Sequence, residues 1–229
     1  MRPPKSAKAT ARPRIVAVIA SAGDLVRAGR LRRLPDLFEV RLDALSGMAS
    51  ELSRAIASLR APLIITARHP VEGGQNELSA ARRRALLLEF LPQARYVDVE
   101  LRSVRELAAV IADARRVKVA LIISVHDFRR TPGVDELHKL AARARAASAD
   151  VFKLATRVDN SADLARLIAG FEAIDTEVPI SAMGMGKFGR EARRALLARG
   201  SVLNYAHLGT AQAEGQFSLP ELRRLASRS

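Results

Sequence analysis

The 229-residue chain contains no cysteine and no tryptophan. The first absence removes disulfides, thiolate nucleophiles and cysteine-based zinc or iron–sulfur sites, and is compatible with a reducing cytoplasm. No apolar run approaches bilayer length, and the N-terminus lacks the apolar stretch of a secretory signal. A soluble, cytoplasmic protein with no membrane partner is expected. Neither GxGxxG nor GxxxxGK[ST] follows the first β-rich run, so nucleotide binding has no motif to support it. Acidic residues number 24 against 38 Lys and Arg, a formal net charge of +14. Such a balance raises the question of nucleic acid, because Lys and Arg neutralise phosphates and release counterions. No aromatic platform accompanies the charge, and outside the N-terminus the arginines are scattered through segments such as ARRRALLLEF and AARARAA, where they read as solvated helix faces. No nucleic-acid partner is expected.

What remains is a chain of 48% apolar content, enough to bury one sizeable core. Its first fourteen residues, MRPPKSAKATARPR, carry only basic charges with several Pro and Ala. That composition favours a disordered arm, set at residues 1–13, ahead of a single domain from 14 to 229. From residue 14 short β-rich runs alternate with longer helical patterns. The strand candidates are RIVAVIAS, LFEVRLDA, PLIITAR, YVDVEL, KVALIISVH, DVFKLAT, PISAMG and VLNYAH. Between and after them lie ELSRAIASLR, RRRALLLEFL, VRELAAVIADARR, VDELHKLAARARA, SADLARLIAGFEA, REARRALLAR and SLPELRRLAS. Several follow Ser, Asp or Asn, which cap helix N-termini, or carry Pro near the first turn. Eight βα units predict an α/β fold of the (β/α)8 TIM-barrel type; an open doubly wound sheet is the alternative.

Alternate strand residues share a face. Phe38, Val40 and Leu42 oppose Glu39, Arg41 and Asp43; Val97, Val99 and Leu101 oppose Asp98 and Glu100. Thr66 and Arg68, Ser124 and His126, and Lys153 between Phe152 and Leu154 continue the pattern. In a barrel the apolar faces meet the helices, so five consecutive strands aim polar groups into one lumen, mostly toward the strand ends where TIM-barrel sites are built. A structural ion-pair layer of Glu39, Asp98 and Glu100 with Arg41 or Arg68 would also satisfy these positions, and His126 alone could be a core histidine. Lys153 stands apart. Desolvation and neighbouring cations would make its neutral amine available to attack a carbonyl.

The segments FEVRLD, TARHPVEGG, DVEL, SVHDF, DVFKLA, MGKFGREAR and EGQ, in this order over nearly the whole barrel, resemble the type I 3-dehydroquinate dehydratases of the shikimate pathway. The resemblance implies a lyase that needs no metal or organic cofactor and converts 3-dehydroquinate to 3-dehydroshikimate through a Schiff base. Lys153 matches the Schiff-base lysine, His126 the general base, and Glu72 the acid that orients this histidine. Glu39, Arg41 and Arg68 match groups that hold ring hydroxyls, Arg193 the grip on the substrate carboxylate, and Gln216 the glutamine of the lid. A homodimer is expected on the same ground. The family's lid reads SAPGQ where this chain has QAEGQ, placing Gln212 at a ligand-contacting serine position and Glu214 at a stiffening proline. Arg190 and Arg194 compete with Arg193 for the carboxylate. Two rival readings remain: a class I aldolase, whose phosphate would sit in MGMGKFG, and a basic nucleic-acid-binding protein on an inactive barrel.

Overall fold

A computed structural model describes residues 12–227, except the side chains of residues 49 and 50. The expected basic arm lies outside the described residues apart from Arg12 and Pro13. Eight strands follow: β1 Arg14–Ile19, β2 Leu37–Arg41, β3 Leu63–Thr66, β4 Tyr96–Glu100, β5 Ala120–Asp127, β6 Val151–Arg157, β7 Ile180–Met185 and β8 Leu203–His207. Each starts within two residues of the run read from the sequence. Their order, β7-β6-β5-β4-β3-β2-β1-β8, is that of a TIM barrel laid open, and every ladder is parallel.

The helices are α1 Ala22–Gly29, α2 Ala49–Ala57, α3 Ala80–Phe90, α4 Ala108–Arg116, α5 Val134–Ala146, α6 Ser161–Ala173, α7 Gly189–Ala198 and α8 Leu219–Ala226. Helix α1 was not among the segments read as helical. It is nucleated locally, with Ser21 Oγ accepting from Asp24 N at 3.1 Å and Asp24 Oδ2 accepting from Ala20 N at 3.2 Å. Helix α4 starts at Ala108 rather than in VREL, after a 3-10 turn at Leu101–Ser103. Helices α4, α5 and α7 end alike. Lys118, Ser148 and Gly200 take φ of 60°, 60° and 90°, and the next amides reach back five residues: Val119 N to Ala114 O, Ala149 N to Ala144 O, Ser201 N to Leu196 O. This closing motif satisfies the last carbonyls and turns the chain toward its next strand.

The core is in two parts. Phe38, Val40, Leu42, Val97, Val99, Leu121, Ile123, Phe152 and Leu154 pack outward against the helices. Their alternates Leu37, Ile64, Tyr96, Ile122, Val151 and Leu203 fill the lower lumen with Val16. The alternation therefore sorts residues as expected, and it leaves the upper lumen to Glu39, Thr66, Arg68, Asp98, Glu100, Ser124 and Lys153, all buried. Between β7 and β8 the strands are joined differently. Val202 N donates to Ile180 O at 3.0 Å, Ser181 Oγ donates to Leu203 O at 2.7 Å, and Ser201 Oγ accepts from Ala182 N at 3.0 Å and donates to its carbonyl at 3.1 Å. Side chains take over much of the work of a ladder at this seam.

Candidate active site

Lys153 projects from the middle of β6 because Phe152 and Leu154 on either side are claimed by the outer core. It is 3% exposed. Its Nζ donates to Asp98 Oδ2 at 2.8 Å and to Glu39 Oε1 at 3.1 Å. The cationic neighbours expected from the sequence are therefore displaced to second contact. Arg68, extending from the end of β3, bonds the same Asp98 at 2.9 Å, Glu100 at 3.0 Å and Ser124 Oγ at 2.8 Å, and lies 3.8 Å from Glu39. Burial works against Arg68's charge, yet Asp98, Glu100 and Glu39 outweigh it and hold the guanidinium firmly protonated. Burial likewise opposes ionisation of Asp98, and Arg68 and Lys153 overcome it, holding the carboxyl well below the usual carboxylate range.

Beneath this cluster Arg83 of α3 is 1% exposed and bonds Glu100, Ala67 O and Ser103. The solvated-face reading of ARRRALLLEF fails at this position, because the helix turns that one arginine inward beneath the lumen. With it, three carboxylates (Glu39, Asp98, Glu100) face three cations (Arg68, Arg83, Lys153), and the charge of this cluster closes to zero. Glu39 and Arg41 do not pair with each other, as the ion-pair reading allowed. Arg41 forks onto Asp43 at 2.9 and 2.7 Å and also reaches Gly73 O at 3.0 Å. Asp43 in turn accepts from Arg68 N and Gln75 N, which fastens the loop after β3 over the barrel mouth.

That loop brings Glu72 to His126. Glu72 Oε2 accepts from the His126 amide at 2.9 Å and lies 3.0 Å from its Nδ1. With Nδ1 turned to Glu72, Nε2 is the nitrogen left for chemistry. Burial, then the charges of Arg68 and Lys153, pushes His126 well below the usual histidine range, so its imidazole is neutral. Burial and the nearby charge of Glu100 push the Glu72 carboxyl up to about 7. His126 stands on β5 one lumen position above Ser124, which pairs with Lys153; the base and the amine thus lie on adjacent strands.

Arg193, on α7, reaches the seam, donating to Gly184 O at 3.0 Å and Tyr205 O at 3.4 Å. It has no carboxylate partner among the described residues, and burial pulls it down to about 10. Arg190 instead points outward, bonding Glu221 at 2.9 Å and covering the Phe217 ring, and with Arg194 it lines an outer cleft against α8. Gln216 Oε1 accepts from Gln212 N at 2.7 Å, folding the loop after β8 on itself. Gly215 there, at φ +83°, lies so close to α7 that an added Cβ would come within 2.8 Å of Gly189 Cα. Glu214 reaches Arg157 of β6 at 3.6 Å, and Arg157 pairs with Asp159 at 2.7 Å.

The glycine-rich turn after β7 is no open phosphate cradle. Lys187 N donates to Asp159 Oδ1, Phe188 N to Val158 O, and Gly189 N to Gly186 O. A carboxylate already sits where an anion would bind, which removes the feature on which the aldolase reading depended. Among the described residues no group of three His, Cys, Asp or Glu side chains is placed to hold a metal ion. No helix among them is long and apolar enough to cross a membrane. All eight residues singled out from the sequence lie at this end of the barrel. Missing from that set are Asp98, Ser124, Asp43, Arg83 and Tyr205; the polar alternation contained Asp98, Ser124 and Asp43, but nothing in it told which residue each would bond.

Comparison with known proteins agrees with this arrangement. The family model for type I 3-dehydroquinase matches residues 16–228. A 3-dehydroquinate dehydratase of Methanothermobacter thermautotrophicus is 32% identical over 210 residues, covering 91% of this chain and 89% of that protein. One from Thermococcus gammatolerans is 36% identical over 198 residues, covering 83% and 86%. Among solved structures, 3-dehydroquinate dehydratase from Geobacillus kaustophilus superposes with a TM-score of 0.85 at 26% identity, covering 94% of this chain and 90% of that one. The Clostridium difficile type I enzyme, solved with covalently modified comenic acid, gives 0.81 at 26% identity, with 95% and 92% covered. With a match across nearly the whole barrel, the chain belongs to the type I 3-dehydroquinase family.

Proposed function

We propose that this protein is a 3-dehydroquinate dehydratase, a carbon–oxygen hydro-lyase that forms a Schiff base on Lys153 and serves the shikimate pathway of aromatic amino-acid biosynthesis. The observation that carries the reading is a buried lysine one strand away from a partly buried, neutral histidine that is oriented by a glutamate. The covalent ligand of the Clostridium difficile relative supports chemistry of this kind.

The substrate carboxylate meets Arg193, whose charge the protein leaves unbalanced. Glu39, Arg41 and Arg68 bind ring hydroxyls, and Gln216 closes over the substrate from the lid. His126 takes a proton from the Lys153 ammonium, and the resulting amine adds to the ring ketone. The same proton returns to the departing hydroxyl, which leaves as water, and an iminium remains on Nζ. The iminium withdraws electrons from the adjacent C–H bond, so a base of ordinary strength suffices to remove that proton. Nε2 of His126 accepts it while Nδ1–H is held by Glu72. The enamine then expels the β-hydroxyl, protonated by the imidazolium, and hydrolysis releases 3-dehydroshikimate. A cytoplasmic homodimer is part of this proposal, and sedimentation of the purified protein tests the oligomeric state.

The deciding experiment is intact-mass spectrometry after incubation with 3-dehydroquinate and borohydride. Wild type gains a reduced adduct on Lys153, Lys153→Ala gains none and has no activity, and His126→Ala forms the adduct slowly without turnover. Near-normal turnover in His126→Ala overturns the general-base assignment. No adduct and no enone absorbance from wild type overturns the function.

A further inference from the structure

Two carboxylates are not the whole surrounding of the Lys153 nitrogen. Nζ also stands 4.1 Å from the centroid of the Tyr205 ring. Tyr205 is 5% exposed and lies on the lumen face of β8, in register with Val16 of β1. Arg193 bonds its carbonyl, which fixes the backbone from the seam side. The buried hydroxyl makes no hydrogen bond among the described residues. The contact with Lys153 is therefore made by the face of the ring.

The chemistry at Nζ gives that face a use distinct from the carboxylates. An ammonium has three N–H donors, and two of them go to Asp98 and Glu39. When the carbinolamine loses its hydroxyl as water, the nitrogen lone pair forms C=N, and Nζ keeps at most one N–H. The hydrogen bonds that held the ammonium are largely lost at the moment the nitrogen must again carry charge. A ring face attracts a cation through its quadrupole and needs no N–H, and it does so most strongly where water is excluded.

Resting on the imine reading above, we infer that the Tyr205 ring is a positioning element for the reaction, holding positive charge at Nζ in the ammonium and again in the iminium. The other groups facing this nitrogen are Glu39 from β2, Asp98 from β4 with Arg68 of β3 behind it, Ser124 and His126 from β5, and Ser181 from β7. Of these only the carboxylates carry negative charge. Their Coulomb attraction remains in the iminium while their hydrogen bonds to Nζ are reduced to at most one, and the ring adds to that attraction without needing an N–H. The ring thus favours both charged forms over the neutral carbinolamine and enamine, and it steadies Nζ while its hydrogen bonds change.

The test replaces Tyr205 in the full chain by Phe and then by phenylalanines carrying one, two and three ring fluorines. These alter the charge of the face while nearly keeping its shape. One readout is the pH dependence of Lys153 acetylation by acetic anhydride, followed by peptide mass spectrometry, which requires no turnover. The other is the fraction trapped by borohydride with saturating 3-dehydroquinate. Tyr205→Phe is expected to stay within about twofold of wild type. Across the fluorinated series the labelling midpoint moves stepwise to lower pH, by about one unit in all, and the trapped fraction falls about tenfold. Midpoints that stay fixed overturn the inference, and so does a trapped fraction that is equal across the series. If wild type traps no adduct, the imine reading fails and the iminium half goes with it, while the labelling midpoints still decide the ammonium half.

Discussion

Arg68 and Arg193 are buried guanidiniums at the same end of one barrel, 3% and 8% exposed, and the protein treats them in opposite ways. Arg68 is enclosed by Asp98, Glu100 and Glu39, which hold it firmly charged. Among the described residues Arg193 has only the carbonyls of Gly184 and Tyr205, and burial lowers it to about 10. A buried charge is costly unless paired. The charge of the first arginine is completed by the fold, so it holds the frame of the site together whatever contact it also makes with a ring hydroxyl. The second is left for an anion to complete, which is what separates a group that binds a charged ligand from one whose charge is settled within the fold.

Substitution should separate the two. Arg68→Met leaves three carboxylates with too little positive charge in a closed space, and the expected loss is about 3–5 kcal/mol of folding stability, read from denaturant melts. An unchanged melting curve would erase the distinction. Arg193→Met removes a cation the fold does not balance, so the melt should shift little, while KM for 3-dehydroquinate rises about a hundredfold with a smaller change in kcat. A large loss of stability with unchanged KM would make it a mere clasp of the seam.

Glu72 stands between these cases, buried beside a neutral histidine, with the half-exposed Arg102 3.6 Å away and the charge of Arg68 acting from farther off. Its carboxyl, pushed up to about 7, keeps a proton in the folded state that the unfolded chain loses near 4.5. Folding stability should therefore fall as pH rises across that window, and kcat/KM should climb through about pH 7 as the carboxylate forms and accepts the Nδ1 proton. In Glu72→Gln both slopes should vanish and kcat should drop; a pH–rate profile that keeps its climb rules out this role. Half-exposed Arg157 and exposed Glu214, 3.6 Å apart, mark the far end of the scale. Screened surface pairs contribute little, so Glu214→Gln should raise KM at most a few-fold, and the difference should fade with added salt.

Eight βα units in succession were enough to read the barrel, and the alternation of Glu39, Arg41, Asp98, Glu100, Ser124, His126 and Lys153 with apolar residues was enough to read the lumen that bears the site. Period-two patterning states which way a side chain faces, and burial on both faces of a parallel sheet enforces it. It does not state what each group meets. That Lys153 finds Asp98 two strands away, or that Arg41 takes Asp43 rather than Glu39, depends on strand stagger around the closed barrel, which no single strand encodes. Arg83 was misread because three consecutive arginines look alike until α3 is rotated against the sheet. Tyr205 gave no polar signal because a tyrosine on a strand also reads as ordinary packing.

The seam between β7 and β8 has a mechanical consequence. Elsewhere two neighbouring strands part only by breaking a run of amide bonds, but here the edges are sewn by Ser181, Ser201 and Arg193, and stitches can be undone one at a time. The barrel should breathe at this line first, with β8 amides exchanging faster than those of β4 and β5. An anion gripped by Arg193 would then knot the thread, so that occupancy of the site is felt as a longer closed lifetime of the barrel and as slower exchange along β8.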